Sequence, residues 1–458
     1  MVGSGYRTRM DAPEEFSESY DAVVLGGGAA GLLTALLLAR GGCSVAVLEA
    51  RQVGDGTTGH STGKVSLLQG TKLQRALRTN PLPVVRRYVE AGAEGQAWLR
   101  RYCEGHGLPV AGRVATTYAT TDRGEDRVRA ELDAATRAGL AVRTTTDTEL
   151  PFPVRGAVEL DDQFQVDPSR LLSLLVADVE AEGGEVHERV RAVEVHRSGD
   201  GVRVRTDGGR YLRAGVAVVA TNQPVLLRGL FFARMQASRS YAATFESPWA
   251  PDGMHLSADD DVRSLRSTES GGERLLMVGG AGHVTGRGSA SAHRDRLLDW
   301  ARASFPEARL RTVWSAQDQS PVDGLPYAGP AVPGDHRVQV VTGFDKWGLS
   351  TAPAAALLLA ADLLGGTRPD WADALRTWAP RQVRAAPRAA LTNAEVGWQM
   401  ACGHAGRLLA GDRPPVCTHL GGVLAWNDAE DSWDCPLHGS RFAPDGTVLE
   451  GPAVRPLR

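Results

Sequence analysis

At 458 residues the chain is too long for one ordinary domain and predicts two or three compact units with sizeable cores. Charged residues make up 23% and apolar residues 42%, with a net charge of −3. No charge excess therefore points to nucleic acid or an anionic membrane as the main partner, and small molecules or proteins are expected instead.

Met1 to Tyr20 is polar and acidic around Glu14 and Glu15, unlike a secretory signal. The longest apolar stretch, Ala352 to Leu364, is well short of the ~20 residues a spanning helix needs. No membrane span and a soluble, cytoplasmic protein are expected. Five cysteines in so long a chain do not make a disulfide framework, and Cys43, Cys103 and Cys402 read as plain thiols. Of 51 basic residues only Lys64, Lys72 and Lys346 are lysines, so each stands out.

In chain order, Ser19 to Leu25 predicts a short strand, Gly26 to Gly31 a glycine turn, Leu32 to Arg40 an apolar helix and Ser44 to Glu49 a second strand, a βαβ opening. From Pro83 to Gly107 apolar residues recur at helical spacing. Val110 to Arg155 reads as strand-like and turn-rich. Leu171 to Ala181 looks helical, and Gly184 to Val195, Gly201 to Thr206 and Tyr211 to Ala220 read as strands returning to the nucleotide-binding sheet. Short β-type runs between Ser240 and Gly282 predict a separate antiparallel sheet that could roof a substrate pocket. Val338 to Thr342 is a further strand, Gly348 to Leu364 a further helix, and the Arg/Pro/Ala-rich Pro380 to Ala390 the linker.

Gly26-Gly27-Gly28-Ala29-Ala30-Gly31 is a G-x-G-x-x-G between strand and helix, with Glu49 ending the next strand. Gly26 permits the tight turn, Gly28 the approach of a pyrophosphate, and Gly31 close helix–strand packing. The helix N-terminus offers amides to the phosphates, and Glu49 an acceptor to the ribose hydroxyls. The motif alone does not separate FAD from NAD.

The chain resembles the glycine/D-amino-acid-oxidase-like flavoproteins, in the branch fused to a C-terminal Rieske domain. The carriers are the βαβ opening, Gly56-Thr57-Thr58-Gly59-His60-Ser61-Thr62-Gly63-Lys64, Ala220-Thr221-Asn222-Gln223-Pro224, Gly279 to His283, Gln317-Asp318, Asp323 to Pro326, and Thr342 to Gly348. The resemblance implies FAD, with contacts at Gly26, Gly28, Ala30, Gly31, Glu49, Ala50, Arg51, Thr57, Thr58, Lys64, Val190, Gly343, Trp347, Gly348 and Leu349. The amides at the start of the last long helix could face the flavin N1/C2 carbonyl. Lys64 and Lys346 could tune the flavin or simply pack at the surface, and His60 is a candidate base or a structural loop residue, as is His283. Tyr241 and Trp347 could line the pocket or belong to the core. A single glycine fingerprint favours a substrate that reduces the flavin directly over a second nucleotide fold for NAD(P)H.

Cys417-Thr418-His419 and Cys435-Pro436-Leu437-His438 form a C-x-H and C-x-x-H pair fifteen residues apart. A Rieske [2Fe-2S] cluster takes two thiolates on one iron and two imidazoles on the other, so each loop supplies one of each. A Cys2His2 zinc site uses the same ligand types, usually with wider gaps within each pair. Cys402-Gly403-His404 lacks the Gly/Pro flanks and reads as structural. Gly422 and Leu437 stand where many Rieske domains carry a bracing disulfide, and the resemblance implies an abbreviated domain.

The expected architecture is α/β, α+β overall: a Rossmann-like FAD-binding domain, an antiparallel-sheet substrate domain and a small all-β Rieske domain. The expected boundaries are a tail at 1–18, an oxidoreductase unit at 19–390 and the Rieske unit at 391–458. Within the oxidoreductase, 19–90, 160–235 and 315–380 bind FAD, while 91–159 and 236–314 form the substrate domain. The implied function is oxidation of a small substrate, an amine or amino acid, at a C–N bond by hydride transfer to FAD. Electrons then pass through the cluster to a protein or quinone-like acceptor. The alternative is an electron-transfer protein with no substrate of its own.

Overall fold

The structure, a computed structural model, describes Ser17 and residues 19–409 and 413–458. Apart from Ser17 the expected tail lies outside the described residues.

The first sheet has eight strands, of which five are parallel, in the order Val338–Thr342, Tyr211–Val219, Tyr20–Leu25, Val45–Leu48 and Glu185–His187; Tyr327–Pro330 pairs antiparallel at one edge. Alternate residues face opposite layers, as the two-residue strand period requires. Ala22 and Val24 join a core with the helices Ala29–Arg40, Pro168–Ala181 and Gly348–Leu364. Val23 and Leu25 face a second core with the hairpin strands Ala192–Ser198 and Gly201–Thr206. Burial on both faces explains the unbroken apolar runs.

The opening helix lies close against its strand because Gly31 has no side chain: a Cβ there would stand 1.9 Å from the Gly26 carbonyl oxygen. Overpacking of this kind costs about 1–3 kcal/mol. Gly31→Ala is accordingly expected to lower the urea midpoint and weaken FAD retention, read from a denaturation curve and the flavin content of the purified protein.

The second sheet has nine strands. Met235–Glu246 lies between Arg309–Pro321 and Glu273–Val284, followed by Arg263–Ser270, Met254–Ser257, Arg113–Ala119, Gly156–Gln165 and Lys64–Val65, with Arg143–Thr145 also paired to Gly156–Gln165. Arg309–Pro321 crosses the boundary placed near 314, Gly156–Gln165 crosses the one near 160, and Lys64–Val65 pairs here rather than in the FAD-binding sheet. Periodicity marks a strand without naming its partner.

Two expectations need correction. Val110 to Arg155 contains the helix Asp122–Ala138. Its buried stripe, Val128, Glu131, Ala134, Ala135 and Ala138, is narrow and hidden among charges, yet Thr121 caps Gly124 N and Gly139 closes the end in the left-handed region. The linker Pro380 to Ala390 is instead a short 3-10 turn, Pro380–Ala385, running into the helix Ala386–Leu409. Pro380 and Pro387 sit in first turns, where proline is tolerated, and alanine and arginine favour helix beyond them.

The C-terminal unit is a four-stranded antiparallel sheet, Ala425–Asn427, Ser432–Asp434, Arg441–Phe442 and Val448–Glu450. Its small core comprises Cys417, Leu424, Cys435, Leu437, Phe442, Val448 and Ala453, with Val396 and Met400 of the preceding helix packed on it. Among the described residues no helix is long and apolar enough to cross a membrane.

Candidate functional site

A cavity of about 930 Å3 opens where the parallel strands end, near the top of the roughly 300–1,000 Å3 range of cofactor sites. Its lining takes in Gly26, Gly28, Ala30, Glu49, Ala50, Arg51, Thr57, Thr58, His60, Lys64, Lys346, Trp347, Gly348 and Leu349. Gly31, Val190 and Gly343 lie outside the lining.

Gly26 adopts φ +111°, and a Cβ on it would meet the Ala220 carbonyl oxygen at 2.6 Å, so only glycine fits this turn. Glu49 accepts from Gly27 N at 2.8 Å and Arg51 N at 2.9 Å, which pins the turn to the second strand. An ionised carboxylate has about four lone-pair sites, so acceptor capacity remains for ribose hydroxyls. Thr58 Oγ1 accepts from Ala29 N at the helix start. The glycine turn, the amide-bearing helix end and the cavity beside them fit a dinucleotide.

At the other end of the cavity, Asp345 and Lys346 have φ of 50° and 72°, two consecutive non-glycine residues in the left-handed region just before the helix Gly348–Leu364. Such conformations cost of order 1–3 kcal/mol each and cluster at functional sites. Asp345 is held by Lys72 Nζ at 3.0 Å and Arg75 Nη2 at 3.1 Å. Lys346 Nζ donates to Ser240 Oγ at 3.0 Å. Lys64 is buried, and its Nζ donates to two neutral oxygens, His255 O and Ser264 Oγ, both at 2.7 Å. Burial, reinforced by the Arg266 charge, holds this ammonium well below its ordinary value. His60 Nδ1 bonds its own loop at Gly56 O, 2.9 Å. His283 stacks between Tyr241 and His293, with ring centroids 5.8 and 4.1 Å away.

Asp318 also lines the cavity, and burial pushes its carboxyl up to about 6 despite the opposing charge of Lys346. A carboxyl raised above its unfolded value adds stability that is complete below the unfolded pKa and disappears as pH rises through about 6. Asp318→Asn should therefore flatten the loss of thermal stability between pH 4 and 7, relative to wild type, in melting scans without added ligand.

The two Cys/His loops share one geometry. Cys417 N donates to Gly422 O and Gly421 N to Cys417 O, while Cys435 N donates to Ser440 O and Gly439 N to Cys435 O. Gly421 and Gly439 take φ of 77° and 80° to close these turns. The two sulfurs are in mutual hydrogen-bond contact, and the imidazoles of His419 and His438 pair with centroids 5.3 Å apart. Burial lowers both imidazoles to about 4, so they are neutral, as iron ligation requires. His438 Nδ1 is buried without a hydrogen-bond partner. Among the described residues no three His, Cys, Asp or Glu converge on a single ion position. Sulfurs paired on one side and imidazoles on the other fit a two-iron cluster better than one tetrahedral zinc. A Cβ on Gly422 would lie 2.6 Å from Leu437 Cδ1, so these two positions do face each other. Cys402 is exposed, and His404 Nε2 bonds Gly421 O, tying the long helix to the first loop.

The two Cys/His loops dock on the second sheet. Gln317 Nε2, from the cavity wall, donates to Gly439 O at 2.9 Å, and a Cβ on Gly439 would stand 2.4 Å from Ala237 Cβ. Gln317 O in turn accepts from Thr57 Oγ1 at 2.6 Å and Asn222 Nδ2 at 3.0 Å. Phe232 lies edge-on to both imidazoles, 5.4 Å from His419 and 5.0 Å from His438. Beside this contact, buried Arg239 pairs with Glu430 at 3.0 Å and Glu450 at 3.1 Å, and Arg441 binds Glu430, Asp434 and Glu450. The junction roles of Phe232, Arg239, Arg441, Glu430 and Glu450 were not anticipated. A signal existed at Arg239: its strand alternates Ala237, Arg239, Tyr241 on the buried face, and a buried arginine demands carboxylate partners.

A family model described as FAD dependent oxidoreductase, DAO, matches residues 21–362, and one described as Rieske [2Fe-2S] domain matches 394–458. YhfW of Bacillus subtilis (strain 168), named as a Rieske 2Fe-2S iron-sulfur protein, is 29% identical over 96% of this chain and 92% of its own length. The chloroplastic iron-sulfur subunit of the cytochrome b6-f complex of Bigelowiella natans is 56% identical over 43 residues, 9% of this chain and 17% of that protein. Among solved structures, glycine oxidase from Geobacillus kaustophilus superposes with a TM-score of 0.64 at 21% identity, covering 77% of this chain and 96% of its own. At that identity the likeness is one of fold.

Proposed function

The chain belongs to the FAD-dependent oxidoreductase family, DAO, and carries a C-terminal Rieske [2Fe-2S] domain; from that premise we propose that it oxidises an amine or amino acid at a C–N bond and delivers the electrons to a protein or quinone-like acceptor. When bound, FAD supplies a hydride acceptor able to split an electron pair, and the cluster a one-electron carrier. One observation carries the reading: the loop bearing His438 is bonded through Gly439 to Gln317, a residue of the flavin cavity wall. In this reading the two redox sites would be packed against each other rather than strung on a free linker.

The residues of the cavity have matching tasks. Lys64, whose buried Nζ donates to two neutral oxygens and keeps a third N–H, would take the carboxylate of an amino acid, whose charge would favour the protonated amine. His60 keeps Nε2 for exchange of the substrate's ammonium proton, its ring being fixed through Nδ1. Lys346 stands on the strained loop at the helix start, where its charge would favour an electron-rich ring. Charge-assisted hydrogen bonds contribute about 1.5–3 kcal/mol. Lys64→Met is therefore expected to raise KM for a carboxylate substrate roughly ten- to a hundredfold, with a smaller change in kcat, in steady-state assays with an artificial acceptor.

The test is anaerobic mixing with a panel of amines and amino acids. Bleaching of the flavin band followed by the mixed Cys/His EPR signal of a reduced cluster is expected. If no member bleaches the flavin while a reduced carrier protein does, the chain is an electron-transfer protein and the dehydrogenase reading fails.

A further inference from the structure

The cavity wall is not built from the oxidoreductase domain alone. Leu449, Glu450 and Gly451, at the end of the last Rieske strand, line it beside Gly26, Glu49 and Arg51. Each neighbouring layer holds this strand in place. Arg191 Nη2, from the first sheet's side, donates to Val448 O at 2.8 Å, and Arg239 of the second sheet donates to Glu450 Oε1 at 3.1 Å. Around Gly451 the fit is close: a Cβ there would lie 3.3 Å from Val225 Cγ1.

Glu450 has a specific chemistry in this position. Both guanidinium groups, of Arg239 and of Arg441, donate to Oε1. Oε2 is left as an acceptor on a carboxylate that lines the cavity, and the arginines keep it ionised. A pyrophosphate would be repelled by such a group and has its own place at the glycine turn and helix amides. A hydroxyl donor would not be repelled, and a dinucleotide carries hydroxyls on its ribose and ribityl parts.

We propose that the Rieske strand Val448–Glu450 with the following Gly451 is a binding element of the FAD site, with Glu450 accepting a hydrogen bond from a hydroxyl of the dinucleotide. The inference rests on the FAD reading above. It makes the Rieske domain a wall of the flavin site as well as a cluster carrier. Because coupling between sites is reciprocal, FAD then holds the Rieske domain in its docked position as strongly as the domain retains FAD.

Hydrogen–deuterium exchange on the full-length, cluster-loaded protein, with flavin removed and then restored by added FAD, separates the possibilities. Slower exchange on FAD addition is expected at both Gly26–Gly31 and Val448–Gly451. Protection at the glycine turn with no change at 448–451 overturns the inference and leaves the FAD site standing. Protection at neither overturns the FAD reading and this inference with it. In parallel, Glu450→Gln should weaken FAD binding about tenfold or more in a flavin-fluorescence titration. An unchanged Kd in a variant whose cluster EPR matches wild type would count against the role of Glu450.

Discussion

Cys435→Ser is expected to abolish the reduced-cluster EPR signal while leaving bound flavin in place. The cluster needs two thiolates on one iron, and Cys435, which is buried, would supply one. Serine is close to isosteric, and the loop is closed by backbone bonds, Cys435 N to Ser440 O and Gly439 N to Cys435 O, so the local fold should survive the change. Cys402→Ser is the matched control: that thiol is exposed on the helix Ala386–Leu409 and should leave the signal unchanged. EPR after dithionite, with iron and flavin quantified on the same sample, reads both variants. A Cys435→Ser protein with a normal signal would refute the ligand assignment.

Arg239→Ala should produce the largest loss of stability, about 3–5 kcal/mol, the range for removing one partner of a buried ion pair. Arg239 is 1% exposed and joins the second sheet to two Rieske carboxylates. Without it Arg441 alone faces Glu430, Asp434 and Glu450. Burial by itself would raise the Glu450 carboxyl, but Arg239 and Arg441 outweigh that and hold it at about 2. A depressed carboxyl contributes stability that is present above the unfolded value and is lost as pH falls towards 2. The variant should therefore differ from wild type most at neutral pH and converge on it in acid, as measured by urea denaturation at pH 7 and at about pH 3, well inside the window that ends near 2. Equal losses at both pH values would mean that the side chain matters for packing alone. Arg239→Met should lose less than Arg239→Ala, since methionine restores part of the packing.

What could be read from the sequence shares one property: short range. The glycine turn, Glu49 at the next strand end and the two Cys/His loops are each set by a handful of consecutive residues. There a positive φ or a ligand's chemistry admits few alternatives, as at Gly26, Gly421 and Gly439. The helix Gly348–Leu364 and the strand Val338–Thr342 were equally legible, because their apolar patterns match buried elements. The helix Asp122–Ala138 was missed because most of its residues are solvated and its buried stripe includes a glutamate. Pro380 to Ala390 misled because proline marks helix starts as well as breaks.

The arrangement that gives these parts a common function belongs to long-range contacts. Gln317 meets Gly439 across 122 positions, Arg239 meets Glu450 across 211, and Arg191 meets Val448 across 257. No local pattern reports which surfaces two domains will bury against each other; that depends on shape and charge complementarity between faces assembled from distant segments. The sequence alone therefore determined the fold family and the cofactor pair, through short motifs and the family resemblance they carry, since each motif rests on local stereochemistry. Only the tertiary structure decided that the two Cys/His loops dock on the second sheet and that the last strand lines the cavity, because that junction exists only once both domains have folded.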